Sequence, residues 1–498
     1  MRALTDETKK ASKASFGPLN KWRSMPVEAR ASAAYFVCSV LQRGLSLVTL
    51  PLFARILSKY EYGQAVIYSS WESLLTIFIT LNLAYGSFNA AMVKFETERS
   101  KYLAAVNGVV IALASFFVLV YLPFSGLLNP LFELPTWIML LMVLGIVTTN
   151  TLQCWYSMQR FEYRYRSVVL VTLGTSVLGV VFAIVLVLLA ANGWRGYARI
   201  VGAAIPGIIF GLAIAVRLFV REKTFYNREL WKWALSFNLP LVPYYISQML
   251  FNQSDRIMIS HLVSTEAAAM YGIAYSLAMI LTFVLNAING AYVPWLYGKI
   301  RDKRMRDNQT VCTGIAALMA LLLLLVIATA PEIILVMASE KYVEACWVVG
   351  PVAMSLIFHF YTQLFVNVQF YYEEKWLLVA GALVAGVSNV VLNWLLIPVY
   401  GYIAASYTTL LSFFLMAFMN WVMYRTVLKR RGLEDELFSY PLLISIAIAL
   451  LVLGFLMMAL YGMPVIRYGL VGMMLLTGVV FKNKILDMIK KLRGREAG

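Results

Sequence analysis

Histidine is nearly absent from this chain, with two in 498 residues, and there are only four cysteines and 25 acidic residues against 42 basic ones. So few histidines leave little from which to build a metal site or a His-based triad. No GxxxxGK[ST], no strand-borne GxGxxG and no HExxH is present, which removes the phosphate-cradling, dinucleotide-binding and zinc-protease signatures. Cys38, Cys154, Cys312 and Cys346 lie in or beside apolar stretches without CxxC spacing. They therefore indicate neither a disulfide framework nor a thiolate centre, and read as small buried apolar residues. Charge of either sign is scarce, at 13%. These absences argue against cofactor, metal and nucleic-acid chemistry.

Apolar sequence fills the space. The composition is 61% hydrophobic and the mean hydropathy is +0.75. A soluble chain of this length would divide into about three domains. Here the length is used up by about fourteen apolar stretches, each near the roughly 20 residues that a helix needs to cross a bilayer. They run over 33–56, 64–91, 102–126, 134–157, 167–192, 197–220, 234–262, 268–297, 309–337, 345–372, 376–399, 402–425, 439–461 and 464–482. The fold class expected is an all-α integral membrane protein of about 14 transmembrane helices.

The formal charge of +17 sorts by connector. Alternate connectors and the two termini hold 34 of the 42 Lys and Arg residues, and the opposite connectors hold six: Arg55, Lys59, Arg195, Arg199, Lys341 and Arg467. By the positive-inside rule both termini are expected to be cytoplasmic. The arm before the first stretch, with Lys9, Lys10, Lys13, Lys21 and Arg23, lacks the apolar core and cleavage site of a signal peptide. The connectors on the opposite side are short, which disfavours a membrane enzyme that polymerises or ligates sugars outside the cell.

A weak internal echo divides the chain. Ala54–Ser58 resembles Ser260–Ser264, and each is followed by Tyr-Gly, at Tyr62-Gly63 and Tyr271-Gly272, with three extra residues in the second copy. The division expected is a basic arm (1–32), a six-helix bundle (33–220), a linker (221–233), a second six-helix bundle (234–425), a linker (426–438), two extra helices (439–482) and a basic tail (483–498). Internal repeats with a site at their interface are a common plan for transporters. Pro51, Pro206, Pro240, Pro243 and Pro294 fall inside the stretches, where hinge and ordinary kink are both open readings. Gly207-x-x-x-Gly211 could let helices approach closely.

Ionisable groups at bilayer depth are costly, so each is a functional candidate. Arg43 sits mid-way along the first stretch, and Glu72 in the second could be its carboxylate partner. In the seventh stretch Tyr245, Gln248, Asn252, Asp255 and Arg256 form one polar stripe. Asp255 and Arg256 are about 100° apart round the helix and so need partners on other helices. For Arg256, a snorkelling position near the helix end remains the alternative. His359, Gln363 and Asn367 repeat every four residues, and Asn286/Asn289 and Asn389/Asn393 are further amide pairs. Helix–helix hydrogen bonding is the plain reading of any one amide. Together they suit a cavity for a large polar anion. Arg43 and Arg256 would hold its head group, Gln248, Asn252, Asn289, Gln363 and Asn367 would line the wall, and Glu72, Asp255 and His359 are candidates for coupling to H+ or Na+. The Asn308-Gln-Thr310 sequon is discounted because it lies in a cytoplasmic connector.

Three segments carry a family resemblance. LVTLPLFARILSKYEYG (Leu47–Gly63), FNLPLVPYYISQMLFNQSDRIMIS (Phe237–Ser260) and NWLLIPVYGYIAASYTTLLS (Asn393–Ser412) resemble, in order, segments of the O-antigen-type polysaccharide biosynthesis flippases, within the multidrug/oligosaccharidyl-lipid/polysaccharide exporter superfamily. Ala404 stands where that family usually has glycine. The resemblance implies a two-bundle, V-shaped, alternating-access carrier. Its cargo would be an undecaprenyl-pyrophosphate-linked oligosaccharide, the repeat unit of an O-antigen or exopolysaccharide, moved from the cytoplasmic to the periplasmic leaflet. It implies no catalysis and no cofactor, with the lipid-linked glycan, the bilayer and polysaccharide polymerase or assembly proteins as partners. The alternative is a cation-coupled drug or metabolite antiporter of the same superfamily, which two inward arginines disfavour for cationic drugs.

Overall fold

The computed structural model describes residues 26–373, 375–432 and 437–480, without the side chains of 375–380, 382 and 477–480. The expected arm and tail, with Lys9, Lys10, Lys13, Lys21 and Arg23, lie outside the described residues, except for 26–32. Among the described residues there is no strand. The helices are α1 (Val27–Ile56), α2 (Lys59–Thr80), α3 (Phe88–Lys94), α4 (Arg99–Tyr121), α5 (Ser125–Phe132), α6 (Thr136–Phe161), α7 (Tyr165–Leu189), α8 (Arg195–Glu222) and α9 (Arg228–Asn238). There follow α10 (Val242–Leu262), α11 (Thr265–Ala278), α12 (Leu281–Arg301), α13 (Arg306–Ala328), α14 (Ala330–Met337), α15 (Cys346–Tyr371), α16 (Lys375–Tyr400), α17 (Ala404–Arg430), α18 (Tyr440–Ala459) and α19 (Pro464–Val480).

Eleven helical segments among the described residues are long and apolar enough to cross a membrane, and the chain is an integral membrane protein. The expected fourteen are not all among them. Helices α2 and α10 fall outside the eleven, and they are the helices that carry Glu72 and the Asp255 stripe. The second stretch ends earlier than expected, at Thr80, because Leu81 and Asn82 adopt left-handed backbone (φ 47° and 53°) and break the helix before α3. The seventh is split. Pro240 lacks the N–H that a continuous helix would need, so α9 stops at Asn238 and a 3-10 turn, Leu239–Leu241, precedes α10.

Contacts gather the chain into two compact units. One contains the residues up to Thr49 with Phe78–Leu241, and the other contains Leu50–Ile77 with the residues from Val242 onward. In the first, Asn227 caps α9 by accepting from Leu230 N at 3.1 Å. Leu230, Ala234 and Asn238 then form its buried face. Trp233 packs edge-on against Tyr102 of α4 (5.7 Å) and Phe95 (5.4 Å), which fixes the linker helix to this unit. Lipid tails are as apolar as leucine, so helices in a bilayer associate through close packing and hydrogen bonds rather than water exclusion. Gln42 Nε2 accordingly donates to Ser176 at 3.0 Å, and Thr151 Oγ1 to Asn107 Oδ1 at 2.9 Å.

The close-packing glycines of α8 are not the expected pair. A Cβ on Gly211 would lie 2.7 Å from the Thr148 carbonyl oxygen, and one on Gly202 would lie 2.5 Å from the Ala183 Cα, whereas Gly207 has nothing within 4 Å. Gly211→Ala and Gly202→Ala should therefore each destabilise this unit by about 1–3 kcal/mol through overpacking. Gly207→Ala should be neutral or stabilising, by up to about 1 kcal/mol of helix propensity. Melting temperatures of the detergent-solubilised variants check the contrast. Equal melting in all three would remove it.

In the second unit the two echo segments meet. Ser58 and Glu61 form a capping box at the start of α2, with Ser58 N donating to Glu61 at 2.9 Å and Glu61 N to Ser58 Oγ at 3.2 Å. Ser264 caps α11 by accepting from Ala267 N at 3.1 Å. Gly63 lies against Thr265, and Gly272 against Val66, so each echo glycine receives the partner helix. The core of this unit gathers Phe251, Tyr292, Met319, Phe360 and Tyr424 among others. Asn308 is fully buried there, accepting from Tyr292 OH and donating to the Leu437 carbonyl, both at 2.9 Å. Its burial closes the sequon to glycan. All four cysteines are buried and unbridged.

Candidate functional site

Each candidate is described within its own unit. In the first unit Arg43 is exposed on α1. At 1.5 Å per residue it stands roughly 20 Å from either end of the helix, well beyond the reach of a snorkelling side chain. An exposed guanidinium at that depth requires water or a polar partner.

In the second unit the α10 stripe separates into two sides. Asp255 is 2% exposed and is enclosed by neutral donors from three other helices. Tyr271 OH of α11 donates to Oδ2 at 2.5 Å, Asn393 Nδ2 of α16 to Oδ1 at 2.6 Å, and Thr409 Oγ1 of α17 to Oδ2 at 3.0 Å. A second layer supports the first. Asn393 also donates to Asn389 Oδ1 (3.1 Å), Ser254 Oγ donates to the same oxygen (3.2 Å), and Thr408 Oγ1 donates to Asn393 Oδ1. The Asn389 Nδ2 amine is buried with no hydrogen-bond partner among the described residues. Charge-assisted bonds of this kind are about twice as strong as neutral ones, so four helices converge on one carboxylate.

On the other side of α10, Arg256 is half-buried, bonded to Gln253 Oε1 and to the Asn252 carbonyl (3.2 Å), and stacked over the Tyr275 ring at 4.7 Å. Gln253 also accepts from Ser70 of α2 at 3.4 Å. Asn252 is exposed and donates to the Gln248 carbonyl at 2.6 Å, and Gln248 Nε2 donates to Tyr244 OH at 3.2 Å. The predicted amides of α15 and α12 pair across the helices. Gln363 Nε2 donates to Asn286 Oδ1 at 3.3 Å and lies 3.4 Å from His359 Nε2, and Asn367 Nδ2 donates to Asn289 Oδ1 at 2.8 Å. This zipper is the helix–helix bonding that was the plain reading of those amides. Asn286 remains exposed and Gln363 half-buried, so the polar facet stays partly open. Glu72 is half-buried on α2, where Thr76 Oγ1 donates to its main-chain carbonyl at 2.6 Å. Among the described residues no group of three or more His, Cys, Asp and Glu side chains could hold a metal.

Sequence reasoning missed Tyr271 and Thr409 as partners of Asp255, and Thr408 as the partner of Asn393 behind them. Their signal was present in the Thr-Thr pair of the third resembling segment and in the tyrosine of the echo. It also misplaced Arg467, assigned to an outer connector. Arg467 lies inside α19, is 1% exposed and is ion-paired to Glu332 of α14, whose Oε1 also accepts from Tyr468 OH at 2.7 Å.

The family model described as polysaccharide biosynthesis protein matches residues 29–297, more than half of the chain. The chain belongs to this family. Among curated proteins, this polysaccharide biosynthesis protein is similar to the succinoglycan biosynthesis transport protein ExoT of Rhizobium meliloti, with 26% identity over 63% of each chain. It is also similar to the Lsg locus putative protein 1 of Haemophilus influenzae, with 33% identity over 15% of this chain and 19% of the relative. The matches thus span less than two thirds of the length of either relative. Among solved structures, the inward closed conformation of the lipid II flippase MurJ aligns over 91% of this chain and 99% of its own, at 14% identity and TM-score 0.64. An inward-facing multidrug resistance MATE family transporter of the MOP superfamily aligns over 77% and 98%, at 14% identity and TM-score 0.54. The fold is the all-helical transporter fold of that superfamily, as the three resembling segments implied.

Proposed function

We propose that this family member flips an undecaprenyl-pyrophosphate-linked oligosaccharide, the repeat unit of an O-antigen or exopolysaccharide, across the bacterial inner membrane by alternating access, coupled to a cation. Arg43 is the observation that carries the reading. A cation exposed at mid-membrane depth, in a family of polysaccharide biosynthesis proteins, suits an anionic pyrophosphate. The partly open facet of α12 and α15, with Asn286 and Gln363, and the exposed Asn252 of α10 offer the amides that sugars need. Asp255 suits the coupling ion. Its cage encloses one negative charge among neutral groups, which balances one proton or one Na+, whereas a divalent ion would leave a charge uncompensated. Both termini face the cytoplasm in this reading, and a polymerase receives the cargo outside.

The test is flipping of a lipid-linked oligosaccharide in proteoliposomes. Arg43→Gln and Arg256→Gln should each slow it about 10- to 100-fold, the worth of a lost charge-assisted hydrogen bond of roughly 1.5–3 kcal/mol, with membrane insertion unchanged. Wild-type flipping in both variants would sink the assignment. Deletion that produces drug sensitivity while surface glycans stay normal would replace it with drug or metabolite antiport.

A further inference from the structure

A pocket of about 480 Å³ lies where α12, α15 and α17 end together on the side of the basic connectors. Its wall holds Arg301, Lys303 and Arg431 with Tyr371 and Tyr372, its apolar part includes Met305, and among the described residues no carboxylate lines it. Two nearby acids are engaged. Asp302 pairs with Arg301 at 2.9 Å, and Asp307 pairs with Lys299 (2.9 Å) and Arg304 (2.8 Å), neither of which lines the pocket. The Arg301–Asp302 pair is exposed and so holds Arg301 only weakly. Arg431 is oriented from below, with Nη2 donating to the Tyr372 carbonyl at 3.0 Å and the guanidinium 4.9 Å from the Tyr372 ring.

Lys303 adds the third cation, at a helix end of the kind also formed at Glu133, Tyr163, Lys223 and Glu373. It closes α12 in left-handed backbone (φ 55°), with Lys303 N bonded to the Ile300 carbonyl at 3.2 Å and Arg304 N to the Lys299 carbonyl at 2.9 Å. Glycine is the usual residue at such a helix end, because a side chain is strained there. The lysine there puts a cation on the pocket wall. The two tyrosines belong to the aromatic level at which membrane meets water. Three cations over an apolar floor at that level match an amphiphile whose head is an ionised phosphate, and basic pockets between helix ends on the cytoplasmic side are suited to such heads.

We propose that this pocket binds the phosphate head group of an anionic membrane lipid, at a site separate from the one proposed for the transported glycan. The ligand chemistry is a phosphate ester, and the apolar floor commits the source to lipid rather than to a soluble phosphate. The test uses the full-length protein purified from vesicles of equal parts phosphatidylcholine and phosphatidylglycerol, with retained lipid counted by native mass spectrometry. The wild type should retain phosphatidylglycerol over phosphatidylcholine. Replacing Arg301, Lys303 and Arg431 by Gln should weaken that preference roughly 100-fold, at about five-fold per cation. The Arg301→Gln/Lys303→Gln pair alters only exposed side chains, should melt as wild type, and should lose about 25-fold by the same scale. Replacing Arg164, Arg166 and Arg221 by Gln removes the same charge from the first unit and should leave the preference intact. Equal loss in both triple variants would reduce the site to general surface charge and overturn the proposal. Displacement of the lipid by millimolar inorganic phosphate would overturn the lipid source. Unchanged retention in the Arg301/Lys303 pair, with flipping intact or not, would overturn the site without touching the proposed transport function.

Discussion

Asp255→Asn should yield a protein that inserts and melts close to wild type but no longer responds to a cation gradient, and Asp255→Ala should melt below both. The difference follows from the cage. Asparagine keeps an oxygen that can accept from Asn393, and its amine can be met by the Tyr271 hydroxyl, so the buried bonds are largely re-formed. What it lacks is the charge that a proton or Na+ would balance. Alanine removes the acceptor of three buried donors at once. Each unsatisfied group costs about 1–3 kcal/mol. Thr409 can fall back on the Ala405 carbonyl, to which it already donates at 2.8 Å, and Tyr271 OH lies 3.3 Å from Thr409 Oγ1, so the expected cost is about 1–3 kcal/mol for the Asn393 N–H left over, a sizeable share of a typical folding free energy. Melting temperature and flipping under imposed Na+ and pH gradients separate the two effects. Wild-type gradient dependence in Asp255→Asn would reduce this carboxylate to structural glue.

Glu332→Ala should release α19 from the bundle, at a cost of about 3–5 kcal/mol, because it strands a buried cation. Arg467 is the largest of the fully buried side chains, and its Nε and Nη1 already lack partners among the described residues. Its remaining support is the Glu332 carboxylate and two rings, Tyr461 at 5.6 Å and Tyr468 at 5.3 Å. Removing both charges is a different matter. Glu332→Leu with Arg467→Met should recover most of the loss, since the half-exposed Glu332 gives up little and apolar replacement of a buried charge and its partner is often neutral or stabilising. Hydrogen exchange over 464–480 and melting of the single and double variants check this. A single variant as stable as wild type would show that the pair contributes nothing.

Much of this fold was legible because a bilayer permits so little. A run of apolar residues of the right length has one conformation available to it, and the helices appear where the runs are. The polar exceptions were legible for the same reason, and Asp255 and Arg256 were separable by their angle round α10. Three kinds of information were hidden. The hydroxyls of Tyr271, Thr408 and Thr409 were ambiguous, because serine and threonine can satisfy themselves on their own helix and so need no partner elsewhere. The end of α2 carries no glycine or proline, only Leu81 and Asn82 in an unfavourable backbone region. Arg467, four residues into its helix, counted as a connector charge because nothing local reveals that Glu332 waits for it more than a hundred positions earlier.

The reciprocal seats of Gly63 on Thr265 and Val66 on Gly272 limit how α2 and α11 can part. Each helix carries a notch filled by the other, so the two cannot glide along a common axis in small steps. They mesh like two toothed racks, which must be drawn apart before one can slide along the other.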